Sequence, residues 1–455
     1  MEENIPLFEC PQHNFEEMYY YRWWSLRKHI KETPVGYGMT EFLVQRSYSD
    51  KYNLIACAIG HHIYESRWLR DPKYLDQIIH TWYRGNDGGP MKKMDKFSSW
   101  NADAVLARYM VDGDKDYLLD MKKDLETEYQ RWERTNRLKN GLYWQGDVQD
   151  GMEESISGGR RKKYARPTIN SYMYGNAKAL SCIGILSGDE GMAMKYGMRA
   201  DTLKNLVENE LWNTRHQFFE TMRTDSSANV REAIGYIPWY FNLPDTAQKY
   251  EIAWKEIMDE KGFSAPYGLT TAERRHPEFR TRGVGKCEWD GAIWPFASAQ
   301  TLTAMANFMN NYPQTVLSDS VYFRQMELYV ESQYHRGRPY IGEYLDEMTG
   351  YWLKGDQERS RYYNHSTFND LIITGLIGLR PRLDNTIEVN PLIPADKWDW
   401  FCLDNVLYHG HNLTILWDKN GDRYHCGKGL RIFVDGKEVG QANTLTKIVC
   451  ENALK

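Results

Sequence analysis

Two long polar segments of the sequence carry the carboxyl groups that could do chemistry. Asp150 and Glu153 lie in the first segment, residues 138–166, and Glu343 lies in the second, residues 336–365. Glycoside hydrolysis needs such a pair, because one carboxylic acid protonates the leaving oxygen while a second carboxylate activates water or attacks carbon. Loops of this length in a compact domain are usually functional. The pair therefore predicts a two-carboxylate site built on two loops.

The aromatic content favours a sugar as the ligand. Phe, Trp and Tyr make up 14% of the chain, with 32 Tyr and 16 Trp, which is more than a core alone requires. Tyr and Trp combine a flat apolar face with a polar edge, and sugar rings present the matching C–H faces and hydroxyls. The net charge of −5 and the lack of a long Lys/Arg block argue against nucleic acid or anionic lipid as a partner. No partner protein is evident.

The elements that must hold these loops are mainly helices. Apolar periodicity near 3.6 residues predicts helices at 15–32, 51–67, 72–84, 99–111, 115–134, 168–187, 190–212, 246–259, 293–311, 318–335 and 366–378. Short and long connections alternate without a repeat of constant length, which favours a closed toroid of helical hairpins over an open solenoid. We expect a mostly α fold, an (α/α)6 toroid, over residues 1–380.

The character of the sequence changes after Pro381. Segments rich in β-branched residues occur at 385–390, 404–409, 411–417 and 430–440, with Asn420-Gly421 and Asp435-Gly436 as hairpin-type turns. They predict a small β-sandwich-like domain over residues 381–455. Its core would be marginal alone, so we expect it to pack against the helical body.

Three blocks resemble the six-hairpin glycosidases of the mannosylglycerate hydrolase and processing α-glucosidase I type, and more loosely trehalases. DGMEES at 150–155 is similar to the family's acid block and places Glu153 at the general acid position. EWDGAIWP at 288–295 is similar to the block that lines the sugar pocket. The segment 342–350 is similar to the base block and places Glu343 at the general base position.

The resemblance implies an inverting glycoside hydrolase that needs no organic cofactor and no metal. Glu153 would protonate the departing glycosidic oxygen, while Glu343 would take a proton from water on the opposite face of the sugar. A toroid with one deep opening suits removal of a terminal sugar from an oligosaccharide or glycoside. The alternatives are a polysaccharide lyase or sugar epimerase on the same toroid, or a catalytically inactive carbohydrate-binding protein.

The acid block departs from the family in two ways. Glu153 stands where the family has Asp, and Asp150 stands where it has Ser. Glu153 is therefore the expected acid. Asp150 is the alternative acid, or else a neighbour whose like charge raises the pKa of Glu153.

Further residues are candidates for contacts with the sugar because most lie near predicted helix ends or within the resembling blocks. They are Trp23, Trp100, Asp103, Arg166, Trp289, Asp290, Trp294, Trp352 and His365. Asp290 could instead cap the helix predicted from 293, and His365 could orient the base. Glu41, His61, His62 and Glu65 could also face the opening of the toroid. The i,i+4 spacing of His61 and Glu65 lacks a third ligand, so no metal site is predicted.

The sequence as written predicts a soluble, cytoplasmic protein, or a periplasmic or secreted one if a leader has been removed. No run approaches the ~18 apolar residues of a membrane span. The first ten residues have neither a basic n-region nor an apolar h-region. The seven cysteines are scattered and never in CxxC spacing, which indicates neither a zinc cluster nor a disulfide framework.

Overall fold

The computed structural model describes residues 2–454, and α-helices dominate their first four-fifths. The twelve helices are α1 His13–His29, α2 Ile59–Ser66, α3 Lys73–Arg84, α4 Asn101–Asp112, α5 Lys115–Asn136, α6 Pro167–Ser187, α7 Glu190–Leu206, α8 Ile237–Tyr240, α9 Gln248–Glu251, α10 Pro295–Asn311, α11 Asp319–Ser332 and α12 Asn369–Leu371. The single turn α8 was not predicted, because four residues are too few to show a helical period. The helix predicted at 366–378 is α12 followed by a π-helical turn, Ile372–Leu376.

Six of the helices form a closed inner ring. Contacts run from α2 through α4, α6, α8 and α10 to α12, and α12 packs back on α2. The long inner helices α6 and α10 are buried on nearly every side, whereas the outer helices α3, α5 and α7 bury one face each. The predicted (α/α)6 toroid is confirmed, because an open solenoid would leave α2 and α12 apart.

A carboxylate closes the seam of this ring. Glu65 of α2 accepts backbone N–H groups from Phe368 at 3.1 Å, Asn369 at 2.9 Å and Asp370 at 3.0 Å, where α12 begins. Arg67, which directly follows α2, donates to the side chain of Asp370 at 2.8 Å. Both side chains of the Arg67–Asp370 pair are almost fully buried. Glu65 therefore has a structural role at the seam.

Short two-stranded ladders lie in the loops of the toroid. They pair β2 Ile30–Thr33 with β3 Gly36–Met39, β4 Trp144–Gln145 with β5 Tyr164–Ala165, β6 Trp212–Asn213 with β7 Phe218–Phe219, β8 Ser264–Ala265 with β9 Gly268–Leu269, and β10 Tyr334–His335 with β11 Arg338–Pro339. The ladder β4–β5 closes the base of the predicted acid loop. The ladder β10–β11 opens the segment that carries Glu343.

The C-terminal part is a small antiparallel β domain, as predicted. Its strands are β12 Ile387–Val389, β13 Trp400–Tyr408, β14 His411–Asp418, β15 Gly429–Val434, β16 Lys437–Ala442 and β17 Ile448–Cys450. Asp435 and Gly436 form the two-residue turn between β15 and β16, both with positive φ. Asn420 and Gly421 instead lie in a longer connection between β14 and β15.

The sheet of this domain includes a strand from the start of the chain. β1 Leu7–Glu9 pairs with β13, and the sheet order is β1-β13-β14-β15-β16. The N-terminal strand therefore belongs to the β domain, although it was predicted within the helical one. Three residues are too short to show the alternation of a strand.

The two parts share one continuous hydrophobic core. His409, between β13 and β14, lies 3.0 Å through its Nε2 from the backbone oxygen of Met110 in α4. The β domain thus packs on the helical body, as its small core requires. No helix within residues 2–454 has the length and apolar character needed to cross a membrane.

Candidate active site

A cavity of about 350 Å³ lies where the inner helices α2, α4, α10 and α12 begin. Its lining includes three carboxyl groups, those of Glu41, Glu153 and Glu343. The aromatic residues Trp294 and Phe296 form part of its wall. The structure therefore brings the predicted acid and the predicted base into one cavity.

The acid loop is anchored by Asp150, which lies behind the cavity. Its Oδ2 accepts from Arg166 Nε at 2.6 Å and from the Thr168 hydroxyl, and its Oδ1 accepts from the Ser98 hydroxyl at 2.6 Å. The side chains of Asp150 and Arg166 are fully buried. Both carboxylate oxygens are thus occupied, and neither residue lines the cavity.

Gly151 allows the chain to turn from this anchor to the cavity. It adopts φ +72°, and a Cβ at this position would lie 2.3 Å from Cys57 Sγ. Met152 N then donates to Asp147 O at 2.9 Å and closes the turn. As a result Glu153 reaches the cavity, while Asp150 stays against α6.

Burial raises the pKa of Glu153 to about 7. The negative charges of Glu343 and then Asp147 add to this shift, while Arg160 opposes it. The carboxylate of Asp150 is instead paired with the guanidinium of Arg166. Glu153 therefore keeps a proton near neutral pH, which is the requirement for a general acid.

Glu343 lies in a different electrostatic environment. Its Oε2 is 3.0 Å from Arg359 Nη2 and 3.3 Å from Lys354 Nζ. Trp352 packs on the backbone beside it, since a Cβ on Gly342 would lie 2.6 Å from the Trp352 ring. The carboxyl group is therefore held in place and surrounded by positive charge.

Glu41 is the third carboxyl group of the cavity. Burial raises its pKa to about 8, and Glu343 and Glu153 add to the shift. Its backbone oxygen accepts from Asn364 N at 3.0 Å, which ties the residue to the segment before α12. The sequence marked Glu41 only as a residue that could face the opening, because no motif or helical period surrounds it.

Two other predicted residues line the cavity. Trp294 lies in a stack, with ring centroids 4.4 Å from Trp289 and 4.6 Å from Tyr344. His365 packs 4.0 Å from the ring of Tyr363, and neither of its ring nitrogens has a hydrogen-bond partner within the described residues. Burial lowers the pKa of His365 well below its usual value, so the imidazole is neutral.

The 288–295 block supports the cavity mainly from behind. Trp289 does not line the cavity but backs Trp294. Asp290 accepts the backbone N–H groups of Arg282 at 2.6 Å and Gly283 at 2.9 Å. It neither reaches the cavity nor caps α10, whose N-cap residue is Trp294.

The remaining predicted sugar contacts lie elsewhere. Trp23, Trp100 and Trp352 are at most 1% exposed and pack in the core. Asp103 accepts from the Tyr64 hydroxyl at 2.7 Å and lines a separate cavity of about 280 Å³. Position near a helix end does not show which end of the toroid a side chain faces. Within residues 2–454, no group of three or more His, Cys, Asp or Glu side chains could hold a metal ion.

Comparisons with known proteins agree with this architecture. Residues 51–366 match the model of the mannosylglycerate hydrolase MGH1-like glycoside hydrolase domain, and residues 379–440 match the C-terminal domain of glycosyl hydrolase family 65. The chain is 95% identical over its whole length to part of a solved protein named "Sialidase", with a TM-score of 0.99. It spans 42% of that protein's length.

More distant solved structures share the fold. GH63 mannosylglycerate hydrolase from Thermus thermophilus aligns with a TM-score of 0.59 at 12% identity, over 76% of this chain and 98% of that one. A GH78 family rhamnosidase of a Bacillus species aligns with a TM-score of 0.60 at 12% identity, over 95% of this chain and 42% of that one. Because the MGH1-like model covers more than half of the sequence, the chain belongs to the MGH1-like glycoside hydrolase family.

Proposed function

We propose that the chain is an exo-acting, inverting glycoside hydrolase with Glu153 as general acid and Glu343 as general base. One observation carries the proposal: two carboxyl groups line the same cavity in opposite electrostatic environments. Burial holds a proton on Glu153 near neutral pH, whereas Glu343 is paired with two cations. Pairs whose environments differ in this way are typical of acid and base assignments.

The chemistry is a single displacement. Glu153 transfers its proton to the glycosidic oxygen as the bond from that oxygen to the anomeric carbon breaks. Glu343 accepts a proton from a water molecule whose oxygen attacks the anomeric carbon from the opposite face. The products are the free sugar with inverted configuration and the alcohol of the leaving group. Lys354 and Arg359 fix the orientation of Glu343 throughout.

The shape of the cavity supports action at a chain end. Its volume of about 350 Å³ lies at the lower end of the ~300–1,000 Å³ typical of ligand sites. Trp294 and Phe296 give the cavity an apolar wall against which the C–H side of one sugar can pack. A cavity of this size holds one terminal sugar more readily than the middle of a chain.

The test is a screen of aryl glycosides and of oligosaccharides, followed by ¹H NMR of the first anomer released. Inversion is expected, and Glu343→Gln should abolish turnover on any substrate that the screen identifies. Release of the retained anomer would contradict the mechanism. An unsaturated product absorbing in the ultraviolet would indicate a lyase, and sugar binding without turnover would indicate a binding protein.

A sialidase-type mechanism is the second candidate, because a solved protein that contains a nearly identical segment is named "Sialidase". Sialidases use a Tyr nucleophile, and Tyr363 lines the cavity beside Glu41. Burial, followed by the charge of Glu41, raises the pKa of Tyr363 well above its usual value, which disfavours the reactive phenolate. Turnover of aryl sialosides that is lost in Tyr363→Phe would favour this candidate instead.

A further inference from the structure

An aromatic groove lies between α1 and the segment 335–362, apart from the active cavity. Its volume is about 860 Å³. Tyr21 and Trp24 line it from α1, and Tyr340 and Tyr362 line it from the segment. Trp24 is 42% exposed, more than any other tryptophan within residues 2–454. A group of aromatic rings around an open groove marks a binding surface.

The rings of the groove are held at an angle to one another. The ring centroids of Trp24 and Tyr362 lie 5.3 Å apart with their planes at 76°, and those of Tyr21 and Trp24 lie 5.6 Å apart at 35°. Lys28 Nζ lies 3.9 Å from the ring centroid of Trp24 and takes up part of one face. The exposed part of Trp24 is what remains with Lys28 in place. Rings turned in this way cannot all lie under one flat surface, but they can follow a twisted chain.

The backbone turns Tyr362 into the groove and its neighbour away from it. Tyr362 adopts φ +60°, which is uncommon for a residue with a Cβ and persists only where the surroundings hold it. His29 Nε2 lies 2.6 Å from the backbone oxygen of Tyr362 and holds it there. Arg359 and Tyr363, from the same segment, line the active cavity instead. Among residues 2–454, groove and cavity share no lining residue, so the groove is a separate site.

Most of the charged side chains of the groove are already engaged. Those that line it are Arg336, Arg338, Asp356, Glu358 and Arg361. Arg336 pairs with Asp356 at 2.9 Å. The cations of Arg361 and the adjacent Lys28 lie 5.0 Å and 5.2 Å from the ring centroid of Tyr362. Arg338 and Glu358 remain, one of each sign, so the groove does not select for one sign of charge.

We propose that this groove is a second carbohydrate-binding site, which holds a soluble, neutral oligosaccharide without cleaving it. The aromatic rings supply apolar surface for the C–H faces of the sugars. Gln357 and Glu358 line the groove with an amide and a carboxylate that can bond hydroxyls. The groove is larger than the active cavity of about 350 Å³, so it can hold more than one sugar. The site goes beyond the proposed function, because neither Glu153 nor Glu343 takes part in it.

An array of short neutral oligosaccharides, each beside a counterpart of the same length that carries uronic acids, tests the proposal. Calorimetry then measures the tightest neutral binder on Glu343→Gln protein, in which we expect the probe to stay intact. Trp24→Ala, added to this protein, should weaken binding by about tenfold or more. Tyr362→Asn should do the same, since Asn tolerates the left-handed backbone. Met198→Ala, which removes an exposed apolar side chain from α7, is the matched control and should keep the affinity.

Four outcomes would overturn the proposal. The first is an array in which no neutral oligosaccharide binds. The second is tighter binding of the uronic acid counterpart, which would show a site for an anion. The third is undiminished affinity in either Trp24→Ala or Tyr362→Asn, once circular dichroism shows that the variant is folded. The fourth is an equal loss in Met198→Ala, because the effect would then not belong to the groove.

Discussion

Glu153→Gln separates proton donation from every other contribution to catalysis. With a pKa of about 7, roughly half of the Glu153 carboxyls carry a proton at neutral pH. At the ordinary value of 4.5 only about one in 300 would do so. The buried environment therefore raises the protonated fraction of Glu153 at neutral pH by about 150-fold. Gln occupies nearly the same volume but cannot donate a carboxyl proton.

We expect kcat/KM of Glu153→Gln to fall by about 10²- to 10⁴-fold on substrates with an alkyl leaving group. On dinitrophenyl glycosides, whose leaving oxygen needs little protonation, most of the activity should remain. The wild-type rate on alkyl glycosides should decline above about pH 7, because Glu153 loses its proton there. The mutant should lack this alkaline decline on the activated substrate.

Glu154→Gln is the matched control, because Glu154 is the next residue on the loop but lies outside the cavity lining. It should keep the wild-type dependence on the leaving group. An equal loss on both substrates in Glu153→Gln would refute the assignment. So would a dependence on the leaving group that appears in Asp150→Asn instead.

Three further substitutions test the other carboxyl groups. Glu343→Gln should lower turnover by about 10²- to 10⁴-fold. It should also lower the denaturation midpoint, because two cations lose their carboxylate. A mutant that keeps more than half the wild-type rate contradicts the base assignment. Asp150→Asn should lower the free energy of unfolding by about 3–5 kcal/mol, since it leaves Arg166 charged and buried. Asp399→Asn, in an exposed pair, should change it by less than about 1 kcal/mol, and similar losses in both would refute the anchor role. Glu41→Gln should flatten the pH dependence of stability. Between pH 4.5 and about 8 the folded wild type holds a proton on Glu41 that the unfolded chain has lost. The wild type therefore loses stability as the pH rises through this window, by at most about 1.4 kcal/mol per pH unit. Parallel curves for wild type and mutant in denaturant titrations would contradict the pKa shift.

Most of the fold could be predicted because long helices and alternating strands leave a periodic pattern. The two loops that carry Glu153 and Glu343 could be located because they interrupt that pattern with carboxyl and aromatic residues. The pairing of Asp150 could not be predicted, for a tertiary reason. Arg166 and Thr168, which precede and begin α6, take up its carboxylate, and loop sequence alone does not show this pairing.

The residues that line the cavity could be predicted only in part. Trp294 and His365 line the cavity, whereas Trp100 and Asp103 do not, although all four lie at or near helix ends. A toroid has two ends, and the sense of each inner helix decides which end a residue faces. Glu41 joins the site through Tyr363 and Asn364, which lie far away in the sequence. Such contacts leave no local signal.

The carboxylate seam has a consequence for how the protein is made. Glu65 accepts from backbone N–H groups 303 to 305 residues later in the chain, so α2 emerges during synthesis long before these donors. At ~5–20 residues per second, the partners follow only after tens of seconds. The first hairpins must therefore wait as an open arc, with the edges of α2 and α10 exposed to other chains. Ring closure is therefore a late long-range step, followed by the pairing of β1 with β13, and its delay extends the interval during which the nascent chain can aggregate.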